Sequence, residues 1–476
     1  MAEIMKFRHI YLFFIFLFIK SFIGLTPVYG SDNRIWDEYG FHYNSISEAL
    51  ENVPEYSTVY VGPGLYNEYI IVDKPVKLIG EGYPVIDGGL YGTLIIIKNT
   101  YNVVISGFKI VNSGRAYSTE DAGIRIEDSR NIVVYNNILD NNFFGILIKN
   151  SFNISIEKNV INGIEEYYLS DRQHGIYTWY SDRVRVVDNV FTNVKDGIYN
   201  DHNYNTLIEG NIFKSGRYGI HLMYSENYTI RYNNITDYVA GMALMYSKNI
   251  TVKHNWVYFN RVGGIGEGLF IPESDDVLIE DNWIVGNVFG LNIRNIPYTP
   301  GRYAVIRYNV IAFNYIGISF DPDSSAYIYG NDFIENIQNV RYIGYRPTNT
   351  KWYNETLKLG NFWSDLTGYD VDEDGKADLP YTGADPIYQY FTTHKELSIF
   401  YYSPSYYLLN VMFKYSYSPR YEGVVMDLYP SNEPVNIGRL GLKIYYDNII
   451  YSIISTSVPL GIYYYGVRHV RGKRGR

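Results

Sequence analysis

An all-β chain wound as a right-handed parallel β-helix, a pectate-lyase-like solenoid of about 22-residue coils, is the fold this sequence predicts. Three observations predict it. First, an aliphatic residue followed three positions later by Asn recurs from Val133–Asn136 and Ile156–Asn159 through Val186–Asn189, Ile208–Asn211, Ile230–Asn233 and Val252–Asn255 to Ile279–Asn282, Ile306–Asn309 and Ile328–Asn331. Four of the eight intervals between these Asn are 22 residues, and the longer ones read as insertions at coil corners. Second, Gly followed by an aliphatic residue stands eight positions after most of them, at Gly197-Ile198, Gly219-Ile220, Gly241-Met242, Gly290-Leu291 and Gly317-Ile318. Third, the 53 tyrosines and 46% hydrophobic residues favour strands. A unit this short cannot bury its apolar face alone, whereas stacked units can. Coils then lie ~4.8 Å apart, and a recurrent Asn at one corner forms a ladder of side-chain amides running along the stack.

The elements follow in order. Lys6 and Arg8 precede an apolar run from Ile10 to Leu25, and Val28-Tyr29-Gly30 ends in a small residue, the pattern of an export signal over 1–30. Residues 43–50 (Tyr-Asn-Ser-Ile-Ser-Glu-Ala-Leu) read as a short amphipathic helix that caps the open end of the stack, whose edge strand otherwise stays unpaired. The β-helix occupies 31–345 and a C-terminal extension with an acidic loop occupies 346–434. A membrane anchor is expected over 445–467, uncharged from Ile449 to Val467, followed by a basic tail over 468–476 in a positive-inside arrangement.

The net charge of −9, with no basic stripe before the last ten residues, excludes a nucleic-acid footprint. The lack of Cys excludes disulfides and thiolate ligands, which leaves Met and His for a soft metal.

The Gly marker sets the strand alternation. In Gly219-Ile220-His221-Leu222-Met223, Ile220 and Leu222 point in, and His221 and Met223 point out. The same register directs Tyr177, Trp179, Tyr199, Asp201, Met245 and Phe270 outward, a contiguous patch of the kind that meets a partner. Met223 and Met245, 22 residues apart, fall on adjacent rungs, with His221 two residues before the first. Two thioethers and an imidazole form a soft donor set suited to Cu(I), although packing alone accounts for such residues equally well. Asp370, Asp372, Asp374, Lys376 (through its carbonyl) and Asp378 follow the early part of an EF-hand-like calcium loop. Tyr381 takes the place of the bidentate Glu, so Asp365 is the candidate to complete the site.

Residues 360–381 (Gly-Asn-Phe-Trp-Ser-Asp-Leu-Thr-Gly-Tyr-Asp-Val-Asp-Glu-Asp-Gly-Lys-Ala-Asp-Leu-Pro-Tyr) resemble the segment that follows the β-helix in the NosD family of periplasmic accessory proteins. The Leu222-Met223-Tyr224-Ser225 and Leu244-Met245-Tyr246-Ser247 coils and the run Phe400-Tyr401-Tyr402-Ser403-Pro404 resemble that family too. The resemblance covers roughly residues 32–434, and the apolar, basic-ended C-terminus departs from it. It implies an exported protein that acts beside an ABC transporter ATPase and permease. Such a protein receives copper from a chaperone lipoprotein and assists maturation of nitrous oxide reductase. Two other classes stay open on the residues alone: a carbohydrate-active lyase or epimerase, and a structural surface β-helix. For the enzyme, Asp201, His202 and His174 offer acid/base groups, but their coil shows no outward Arg or Lys.

Overall fold

The computed structural model describes residues 35–343, 349–366, 370–383, 400, 403–405, 408–409, 412 and 425–436. The expected export signal, membrane anchor and basic tail lie outside the described residues. Among the described residues no helix is long and apolar enough to cross a membrane. The chain divides into two compact units at Tyr177 and Thr178.

The first unit opens with the expected cap. Its helix, Ile46–Asn52, starts where Ser45 Oγ accepts from the Glu48 amide and the Glu68 carboxylate accepts from the amides of Ile46 and Ser47. Three of the four free amides at the helix start are thus met by side chains. Ile46, Ala49 and Leu50 face inward and are buried. Coils follow, each placing its strands parallel to the next. Thr58–Val61, Lys77–Gly80, Tyr101–Ser106, Arg130–Tyr135 and Phe152–Glu157 pair in that order. On another face Ile95–Lys98, Ala122–Glu127 and Phe144–Lys149 do the same.

The second unit repeats the plan. Asp182–Val187, Tyr204–Glu209, Glu226–Arg231, Lys248–Lys253, Asp275–Glu280, Ala304–Arg307 and Tyr327–Tyr329 make one parallel face. Asp196–Asp201, Ile212–Met223, Asn234–Met245, Glu267–Pro272, Phe289–Arg294, Ile316–Phe320 and Gln338–Tyr342 make another. On this second face Ile198, Ile220, Met242, Leu269, Leu291 and Ile318 are register partners and fully buried, so like residues stack rung on rung. The glycine marker has a steric cause. A Cβ on Gly219 would stand 2.6 Å from the Gly241 carbonyl oxygen, and one on Gly241 would stand 2.7 Å from that of Gly268.

The Asn ladder is present. In the second unit each Asn Oδ1 accepts from both the backbone amide and the side-chain amide of the Asn one coil earlier. The series runs Asn189, Asn211, Asn233, Asn255, Asn282, Asn309, Asn331 and Asn361. Each Nδ2 also donates to backbone carbonyls: Asn233 donates to Ile208 and Arg231. In the first unit the ladder residue is Asn137, not Asn136. Asn137 donates to Asn159 Oδ1 from its backbone and its side chain, whereas Asn136 adopts a left-handed turn and accepts from the Tyr83 hydroxyl. The Asn136-Asn137 doublet hides the register, and the interval of 22 back from Asn159 selects Asn137.

Beyond Asn361 a carboxylate replaces the next amide. Asp427 Oδ2 accepts from Asn361 N (2.7 Å), Trp363 Nε1 (3.0 Å) and Asn361 Nδ2 (3.3 Å). Burial pushes Asp427 up to about 6, against the downward pull of these hydrogen bonds. Farther on, the amides of Val435 and Asn436 donate to Asp332, so residues near the end of the described chain clasp the last coils.

Candidate functional site

The columns that run along the outer side of the Asp196–Asp201 to Ile316–Phe320 face hold the residues singled out by sequence. Met223 and Met245 are direct register partners on adjacent parallel strands, both half-buried, with Asp201 the partner of Met223 on the other side. The next column contains Tyr199, His221, Ala243, Phe270, Asn292 and Ser319.

His221 departs from the expected exposed position. It points away from the Ile220/Leu222 core but is only 7% exposed. Tyr199 on the preceding coil stacks on its imidazole at 4.5 Å and 20°, and Tyr218 meets it edge-on at 4.9 Å. Alternation sets direction, whereas burial depends on the size of neighbours two or three positions away. The same holds for other residues the register sends outward: Leu147, Ala243, Asn292 and Ser319 are all buried.

A third column, missed by the sequence reading, completes the surroundings. The residue before each glycine marker stacks as Asp196, Tyr218, Ala240, Glu267, Phe289 and Ile316. Asp196, with no exposed surface, accepts from Arg217 Nε (2.8 Å) and from a terminal guanidinium nitrogen (2.6 Å). Its Oδ2 also lies 3.0 Å from His221 Nδ1. Arg217 in turn covers the Tyr218 ring at 4.6 Å, and burial raises the Tyr218 hydroxyl above its ordinary range. Burial likewise raises Glu267, while a 2.5 Å hydrogen bond from Asn292 Nδ2 opposes the shift. Three polar atoms of the His221 column are buried with no hydrogen-bond partner among the described residues: His221 Nε2, Asn292 Oδ1 and Ser319 Oγ. The glycine marker that located the inward column would have located this one by stepping one residue back.

The other candidates for the partner patch are half-buried. Trp179 packs edge-on against Tyr180 at 4.9 Å, Asp201 binds His202 Nδ1 at 2.6 Å, and Phe270 lies under Arg294 at 5.5 Å. Next to the Asp201/Met223/Met245 column, the turn residues Tyr180, His202, Tyr224 and Tyr246 stack in series with centroids 4.8–5.1 Å apart, which gives the methionine pair an aromatic border. Tyr177, in the first unit, packs on Phe144 and His174. The cation not found in the Asp201 coil is Arg217, one coil further, and it serves Asp196 instead.

The acidic loop brings Asp370, Asp372 and Asp374 together with one carboxylate oxygen of each within 4.8 Å of the others. Asp370 accepts from the amides of Asp374 and Gly375, Asp378 accepts from that of Val371, and Lys376 Nζ pairs with Asp374 at 2.9 Å. Two of the expected supplements are committed elsewhere. The Lys376 carbonyl accepts from Asn432, and Asp365 accepts from the Tyr381 hydroxyl and from Asn339. Tyr381 itself turns inward, its ring stacked on Trp363 at 4.1 Å.

Comparison with known proteins decides the family. A protein of Pseudomonas aeruginosa named probable ABC transporter binding protein NosD is 34% identical over 362 residues, 73% of this chain and 81% of that protein. The chain belongs to the NosD family. The family model described as periplasmic copper-binding protein (NosD) matches residues 162–368, and a right-handed β-helix region model matches 86–191. Among solved structures, an alginate lyase in complex with G6 superposes with a TM-score of 0.50 at 13% identity, covering 65% of this NosD-family chain and 81% of the lyase. A polygalacturonase from Erwinia carotovora gives 0.45 at 13% identity, over 63% and 92% of the two chains. The likeness to the lyase shows the right-handed parallel β-helix and nothing of its chemistry.

Proposed function

We propose that this NosD-family chain is an exported accessory protein that assists copper delivery to nitrous oxide reductase, with the face around His221, Met223 and Met245 as the place where a copper-carrying partner docks and Cu(I) passes. The observation that carries this reading is the direct register of Met223 on Met245 beside an imidazole whose Nε2 has no partner among the described residues. Two thioethers and one neutral imidazole are soft donors that favour Cu(I). The half-buried ring border of Trp179, Tyr199 and Phe270, with Asp201, suits a contact that excludes water. Transfer requires weak holding, and a site without thiolate meets that requirement. The name of the Pseudomonas relative supports an ABC transporter as partner, and the family description supports copper as cargo. The ATPase and permease of that transporter, and a copper chaperone lipoprotein as donor, complete the proposal. The chain acts here as a carrier rather than as an enzyme.

The test is the combined change His221→Ala, Met223→Leu and Met245→Leu, which nearly preserves volume at the two methionines. Copper content of co-produced nitrous oxide reductase falls while the β-helix stays folded. Unchanged copper loading would remove these residues from the pathway. A second, structural ion belongs to the same proposal: Ca²⁺ held by Asp370, Asp372 and Asp374, with Asp378 bracing the loop. Calorimetric titration of chelator-treated protein checks it, and no heat at millimolar calcium would leave only an acidic turn.

A further inference from the structure

We infer that Asp196, held by Arg217, is a positioning residue that presents the Nε2 lone pair of His221 to the soft metal ion. This rests on the copper reading above and extends it to residues that touch no metal.

A neutral imidazole carries one N–H and one lone pair, and its neighbours decide which nitrogen has which. Asp196 is fully buried and receives two hydrogen bonds from one guanidinium, the strong fork geometry that keeps a carboxylate ionised. An ionised carboxylate only accepts. Beside such a carboxylate Nδ1 is the donor of the 3.0 Å contact, and in a neutral ring the lone pair then falls on Nε2. That Nε2 is buried and has no partner among the described residues. A histidine serving only the fold normally satisfies both nitrogens, because a buried polar atom left unpaired is destabilising. A carboxylate behind one nitrogen and a bare lone pair on the other is the usual state of a metal-binding imidazole.

The ring cannot easily turn to escape this assignment. Tyr199 stacks on one face and Tyr218 closes an edge. On the following coil the register partner of His221 is Ala243, which places only a methyl group beside the imidazole, while Met223 and Met245 occupy the adjacent column. Arg217 acts one step further back. It supplies the charge that makes a buried Asp196 tolerable, and the Tyr218 ring braces it.

The experiment uses the full chain labelled with ¹⁵N-histidine, with Cu(I) alone as the probe. In the apoprotein, long-range ¹H–¹⁵N spectra show His221 protonated at Nδ1 and bare at Nε2, and adding Cu(I) shifts Nε2. In Asp196→Asn the amide NH₂ donates to Nδ1, the proton moves to Nε2, and Cu(I) affinity by chelator competition falls by about tenfold or more. The wild-type spectrum alone decides the tautomer if that variant does not fold. Apoprotein with the proton on Nε2 overturns the inference. Cu(I) that shifts the Met223 and Met245 methyl signals but leaves His221 unmoved overturns the inference while sparing the copper reading. No Cu(I) binding to wild type overturns both.

Discussion

Two polar columns run along the second unit, and they are opposites. In the Asn ladder from Asn189 to Asn361 every rung is buried, each Nδ2 donates to backbone carbonyls and each linked Oδ1 accepts twice from the rung before. In the column of Tyr199, His221, Ala243, Phe270, Asn292 and Ser319, the side chains change from coil to coil, and three buried polar atoms stay unpaired. Both columns step by 22 or 27 residues in the same parallel register, except for the last ladder step of 30 from Asn331 to Asn361. Repetition with full satisfaction marks the first as scaffold. Variation with unmet hydrogen-bonding capacity sets the second apart, and under the proposed copper reading it is where the fold gives up stability for function.

The largest expected effect is on the ladder. Asn233→Ala removes the donors to Ile208 O and Arg231 O and the acceptor for the Asn211 amide, all inside the stack. With about 1–3 kcal/mol for each buried group left unmet, the loss is roughly 3 kcal/mol or more. Denaturant unfolding measures it, and a change under about 1 kcal/mol would mean that the ladder is not what holds this corner.

Next comes the end of the ladder, where Asp427 stands in for an amide. Burial raises its pKa to about 6, so the folded chain holds the proton more tightly than the unfolded chain does. Its stabilising contribution is complete below about pH 4 and is lost as pH rises through about 6, a swing on the order of 2–3 kcal/mol. The stability of wild type relative to Asp427→Asn therefore shrinks between pH 4.5 and 7.5 (roughly the span of that titration). A gap that widens over that range would reverse the assignment.

The smallest effect has the opposite sign to the first. Ser319→Ala removes a buried hydroxyl that has no partner among the described residues, so stability stays level or rises by up to about 1 kcal/mol. A loss comparable to that of Asn233→Ala would erase the distinction between the columns.

The difference also explains what could be read without a structure. The ladder is legible because it obeys one rule at a basic interval of 22 that insertions lengthen, and it misleads only at Asn136-Asn137, where two asparagines compete for one place. The Met223/Met245 contact is legible for the same reason, since a spacing of 22 in this region is a rung. Asp196 behind His221 is not legible from the outward alternation, because the two residues stand in different columns and different coils. They meet only when a long imidazole reaches back across Gly219 and Tyr218 to the preceding coil. The burial of His221 depends on the rings of Tyr199 and Tyr218 closing over it, a matter of side-chain size rather than periodicity.

The copper proposal places the ion between His221 of the second column and Met223 and Met245 of the column beside it. X-ray absorption at the copper edge, on the full chain loaded with one equivalent of Cu(I), addresses it most directly. One nitrogen and two sulfur ligands are expected, the nitrogen lost in His221→Ala and one sulfur lost in each of Met223→Leu and Met245→Leu. A first shell of oxygen and nitrogen only, or one unchanged by all three substitutions, would contradict it.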